Sequence, residues 1–293
     1  MGRRAGSNSH HRAKRGSAAI VVLSLTIVLS ACSTDTGPST LTIATTTSVE
    51  QSGLLGVLAA AYQSESGVDF CVHATGSGRA LQMLATGEAA LAISHAPNAE
   101  AAALRDHSDW AYRKFAFNEF MVVGPPTDPA RVRESANAVD AFRRIAQSSV
   151  RFVSRGDQSG THEREERLWT LAGQRPGTEH LIVSGRGMAQ ALRHADEGEA
   201  YTLSDEATFH RLRQQLELAP HHRGDALLVN TYAVLYRPND ALAADFARWL
   251  TVGAGRSLIG SFTVDGRREY SVWPEGCYGS TPIDEPCGVG AKR

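Results

Sequence analysis

Cysteine is scarce in this chain of 293 residues: four, at positions 32, 71, 277 and 287. Their spacing does not suit a zinc site. His162 and Glu166 stand four apart on one helical face and His221 adjoins His222, but no third ligand accompanies either pair. These read as surface histidines, and no metal is expected. Aromatic residues are sparse and no basic stripe interleaves with them, which argues against nucleic acid as a partner. The longest small, apolar run, residues 17–31, is about half what spanning a bilayer needs. Internal repeats are absent. Ser159 lies outside any nucleophile-elbow pattern and no His–Asp pairing is evident, so an enzyme is not expected.

Five basic residues (Arg3, Arg4, Arg12, Lys14, Arg15) and no acid precede that apolar run. Together they read as an export signal, residues 1–31, with Arg3-Arg4 a weak twin-arginine cue. Leu29-Ser30-Ala31-Cys32 resembles the lipobox of bacterial lipoproteins, which implies cleavage before Cys32 and lipidation of its sulfur. Residues 32–40 read as a tether. The formal net charge of −1 falls to about −6 once the signal is removed. A mildly acidic protein that holds an anion must do so locally, with oriented donors. Cys277 and Cys287 flank a turn-rich stretch in the tail, 274–293, and are expected to form a disulfide in an exported protein. Cys71 lies in a strand-like run and is expected as a buried thiol.

Strand and helix patterns alternate from residue 41 onward, which implies α/β layering with parallel strands and crossover helices. Strands are expected at 41–46, 68–73, 91–95, 120–124, 150–154 and 227–236. Helices are expected at 54–62, 80–84, 136–147, 161–172 and 240–251.

Three polar turns carry the chemistry. In Thr45-Thr46-Thr47-Ser48, Ser48 and Gln51 resemble a capping box, with more hydroxyl than a cap requires. In Gly76-Ser77-Gly78 the glycines let the backbone approach a ligand while Ser77 donates. In Arg155-Gly156-Asp157-Gln158-Ser159-Gly160-Thr161-His162, a strand end delivers a guanidinium and Ser159 and Thr161 open a helix. Helix starts present bare N–H groups and a partial positive charge, which suits a small anion without metal or cofactor. The bland reading pairs Arg155 with Asp157 as a solvated turn salt bridge.

These turns, with His95-Ala96-Pro97, Asn118-Glu119-Phe120, Gly187-Met188 and the 200–205 segment, resemble tungstate-binding components of bacterial ABC importers from about residue 41 to 273. The resemblance implies the two-lobed type II periplasmic-binding-protein fold, each lobe a mainly parallel sheet with flanking helices and the ligand cleft between them. Lobe I would comprise 41–118 plus 236–273 and lobe II 119–235. It also implies Thr46, Thr47, Ser48, Ser77, Arg155 and Thr161 as direct donors, and a monomer that serves a permease with its ATPase. The family commonly has Thr where Ser77 stands, and an acid where Ala90 stands. Tungstate and molybdate are fully deprotonated dianions at neutral pH and want donors only. Phosphate keeps a proton and rewards an acceptor, which Asp157 would supply; sulfate is smaller. A tethered oxyanion sensor would share every one of these residues.

Overall fold

The computed structural model describes residues 39–185 and 187–274. The signal, Cys32, most of the tether and the tail with Cys277 and Cys287 lie outside the described residues.

The chain enters through β1 (Thr40–Thr46), a short helix α1 (Thr47–Ser52) and α2 (Leu54–Ser66). It continues through β2 (Asp69–Thr75), α3 (Ser77–Thr86), β3 (Leu91–Ser94) and α4 (Pro97–Asp106). The strands β1, β2 and β3 pair in parallel, as crossover helices require. A 14-residue strand, β4 (Ala111–Gly124), then crosses to the other half of the sheet. There the chain builds α5 (Ala138–Gln147), β5 (Phe152–Ser154), α6 (Gly160–Ala172), β6 (Leu181–Val183), α7 (Met188–Glu197), β7 (Tyr201–Asp205), α8 (Glu206–Leu212) and β8 (Ala219–His222). The next strand, β9 (Val229–Tyr236), returns it, and α9 (Ala241–Val252), α10 (Ala254–Ser261), β10 (Thr263–Val264), β11 (Arg267–Arg268) and β12 (Ser271–Val272) follow.

Ten strands form one mixed sheet whose main path runs β2-β1-β3-β9-β4-β7-β5-β6. The parallel pairings lie in its two wings, and β9 and β4 are antiparallel in the middle. The first stretch of β4 pairs with β9 from Ala111 to Glu119, while Phe120–Val123 pairs with β7. Two buried cores therefore sit either side of Asn118–Phe120. One packs Leu41, Ile43, Leu58, Phe115, Tyr232, Phe246 and Leu250. In the other half the pleat sorts β4 by face: Phe120 and Val122 join Phe142, Phe152 and Trp169, while Met121 and Val123 join Leu192 and Phe209. Each fully buried Phe contributes on the order of 2 kcal/mol to holding its half together.

Two local expectations are corrected. The cap of α1 is Thr46, whose Oγ1 accepts from the Val49 N–H at 3.4 Å, and Ser48 lies inside the helix. Cys71 is buried but is disulfide-bonded, not a thiol. Its partner lies outside the described residues.

Candidate functional site

Each of the three polar turns closes a strand and opens a helix. At the end of β1, Thr46 and Ser48 are buried, Thr47 is half-buried, and the Thr46 and Ser48 hydroxyls lie 3.2 Å apart. At α3 the cap is Gly76, which has no side chain to satisfy the first amides, and Ser77 follows fully buried with an unpaired Oγ. At α6, Ser159 is the cap and accepts from the His162 N–H at 3.3 Å, while Thr161 is buried with its Oγ1 unpaired. Between β5 and α6 lies Arg155, only 2% exposed, with Nε unpaired. A buried guanidinium N–H without an acceptor is costly. The second and third turns therefore offer buried donors with no acceptor among the described residues, while in the first turn Thr46 and Ser48 pair with each other and Ser48 with His95.

The turns meet. Ser48 Oγ lies 3.4 Å from His95 Nε2, and a methyl on Gly160 would stand 2.2 Å from the His95 carbonyl oxygen. A Cβ on Gly76 would lie 3.9 Å from the Asp157 carbonyl oxygen, and one on Gly187 would lie 3.5 Å from Thr47 Oγ1. Met188, next along, puts its sulfur 3.5 Å from Arg155 Nη1, a weak acceptor for a strong donor. The stretch 46–48 and Arg155 therefore belong to one buried cluster.

Asp157 pairs with Arg155, Oδ2 to Nη2 at 2.6 Å, and its Oδ1 accepts from the Ser159 N–H. The bland pairing is therefore present but not solvated, and it orients the arginine while leaving Nε free. Glu165 accepts from the Arg155 N–H at 3.1 Å and from Trp169 Nε1, so a buried carboxylate fixes the arginine's backbone. Burial pushes the Glu165 carboxyl up in pKa, against its hydrogen bonds. It also joins His162 and Glu166 within metal-ligating distance of one another, a third member that spacing did not reveal. Members of the group are also engaged elsewhere: His162 Nδ1 accepts from the Gln158 N–H, and Glu166 takes Arg175 Nη2.

Several members escape sequence reading. Asn230 donates to Asn118 Oδ1 at 2.8 Å and to the Tyr232 hydroxyl at 2.7 Å, so its own oxygen is the acceptor for His95 Nδ1 at 3.1 Å. His95 Nε2 then faces Ser48 as an acceptor. Burial pushes the His95 imidazole down to about 4, the Asn230 bond resists, and the charge of Arg155 adds to the fall. His95 is thus neutral at pH 7 and ties the first turn to the two strands that cross between the halves. Ser184, whose buried hydroxyl is also unpaired, stands just before α7. The Ser-Gly pair at 184–185 was its available signal, the same turn chemistry as at 76–78.

A two-halved α/β sheet with a buried donor cluster where its strand ends meet defines the class, and the chain belongs to it: the PBP superfamily domain matches residues 31–253. Among relatives, the tungstate-binding protein TupA of Peptoclostridium acidaminophilum is 32% identical over 268 residues, covering 85% of this chain and 93% of that one. A putative ABC transporter anion-binding protein of Haloferax volcanii is 35% identical over 238 residues, covering 77% and 70%. The crystal structure of the tungstate ABC transporter from Geobacter sulfurreducens superposes with a TM-score of 0.69 at 30% identity, covering 76% of this chain and 98% of that one. These relatives are binding components of transporters, not enzymes.

Proposed function

We propose that this protein is the exported receptor of an ABC importer and captures a tetrahedral oxyanion, tungstate first, in the cleft between its halves. The observation that carries the reading is the set of buried donors without acceptors, Ser77 Oγ, Arg155 Nε and Thr161 Oγ1, supplied by turns from both halves. Thr46, Thr47, Ser48 and Ser159 complete the shell with hydroxyls and helix-start amides, and no cofactor or metal takes part. Donors alone suit a dianion that carries no proton, tungstate or molybdate, over phosphate. Asp157, the acid nearest Arg155, is already bonded to it and to an amide. Relatives named for tungstate support the same choice.

Calorimetric titration with tungstate, molybdate, sulfate and phosphate tests it. Tight binding of the first two with weak phosphate is expected, and phosphate preference would refute the donor-only argument. The two lobes of this reading are 41–118 plus 236–273, and 119–235. Anchoring through a lipidated Cys32, with delivery to a permease and its ATPase, completes the proposal.

A further inference from the structure

We infer that Glu163 is a latch that holds the cleft shut, by supplying the missing cap of a helix in the opposite half. The helix α4 starts poorly on its own: its cap position is Ala96, which offers no side-chain acceptor, and Pro97 follows without an N–H. Glu100 reaches back to the Ala96 N–H at 3.0 Å. The next two amides find their partner elsewhere. Glu163 Oε1 accepts from the Asn98 N–H at 2.9 Å and Oε2 from the Ala99 N–H at 3.4 Å, across more than sixty residues of chain. A carboxylate that receives two amides at a helix start makes charge-assisted bonds and meets the positive end of the helix dipole.

The position of Glu163 gives this contact its consequence. It sits on the first turn of α6, two residues past Thr161, so whatever brings Thr161 to a ligand brings the carboxylate to α4. The same closure seats Gly160 against the His95 carbonyl, where a methyl would not fit. Opening the halves would strip two capping bonds from α4 at once, while the amides that face the ligand lie on other helices. Glu163 is therefore a positioning residue: it stabilises the closed state without touching the anion. The kinetic part of this rests on the oxyanion reading of the cleft.

The test compares the full protein with Glu163→Ala and Glu163→Gln, in amide hydrogen exchange and in tungstate kinetics. A latch predicts protected amides at Asn98 and Ala99 in the parent, fast exchange there in Glu163→Ala, and unchanged protection within α6. Tungstate release should quicken about tenfold with association changed less than about twofold, as loss of charged capping bonds implies. Glu163→Gln, which keeps one acceptor oxygen, should fall between. Parent-like exchange at Asn98 and Ala99, or parent-like release, would overturn the latch. Should the parent bind no tungstate, the oxyanion reading fails, and the exchange at those two amides alone decides whether Glu163 caps α4.

Discussion

Arg155 concentrates the energetics of the cluster because it is buried, held and incompletely used. Asp157 takes one end of the guanidinium and Glu165 holds the backbone amide, so the side chain loses little freedom when an anion arrives. Arg155→Ala should lower tungstate affinity about a hundredfold, the scale of charged hydrogen bonds in a desolvated site. Arg155→Lys should recover only part of that loss, since a point charge replaces the planar fork. Calorimetry on both variants decides it, and an Arg155→Ala protein that binds like the parent would remove the arginine from the site. Thr161→Ala should cost less, about fivefold to tenfold, because a neutral hydroxyl donor is lost while its helix-start N–H remains. Equal losses for Thr161→Ala and Arg155→Ala would instead mean that general disruption, not a lost contact, weakens binding.

At the scale of elements, one contact between the halves is made by a residue that carries no side-chain signal. Gly160 abuts the His95 carbonyl, so Gly160→Ala should keep α6 helical yet prevent closure. Small-angle scattering should find this variant open with saturating tungstate present, with affinity down about tenfold or more; parent-like compaction would show that the carbonyl yields. The elements that the sequence shows well are those with their own apolar period. The strands β1, β2 and β3 and the helices α2, α5, α6 and α9 fall near their expected places because each carries its apolar stripe locally. Missed altogether is α4: its cap position holds Ala96 in place of a Ser, Thr, Asp or Asn, and its cap comes from Glu163 on another element. The opening of β4 hides for a related reason. Lys114 and Asn118 break the strand pattern, yet Lys114 is buried with its ammonium 4.7 Å from the centre of the Trp273 ring. The candidate donors were legible because turn chemistry is local. His95 as their link to the crossing strands was not, since Asn230 lies 135 residues further on.

For the whole molecule, two buried groups near the start of α4 give stability an opposed dependence on pH. Burial pushes the Glu100 carboxyl up to about 7, against hydrogen bonds that favour its charged form. Burial likewise holds the His95 imidazole down at about 4. The Glu100 pKa lies above its unfolded value, so between pH 4.5 and 7 the folded protein keeps a proton that the unfolded chain has released. Stability from this group is therefore full below about 4.5 and is lost as pH rises toward 7. For His95 the folded pKa lies below the unfolded one, so stability is full above about 6.5 and is lost as pH falls toward 4. Each effect amounts to about 3 kcal/mol over its range, and across pH 4.5–6.5 the two nearly cancel. Burial also raises Glu163, Glu165, Asp205 and Glu206, which lean the same way as Glu100. Glu100→Gln removes one arm and keeps one acceptor oxygen for the Ala96 N–H, while its amide N–H can donate to the Tyr112 hydroxyl oxygen. Measured by urea unfolding at pH 4.5, 5.5 and 7, its stability relative to the parent should rise with pH by about 3 kcal/mol across the series. A difference that stays flat from 4.5 to 7 would show that Glu100 is ionised in the folded protein throughout, and that α4 starts on a buried charge.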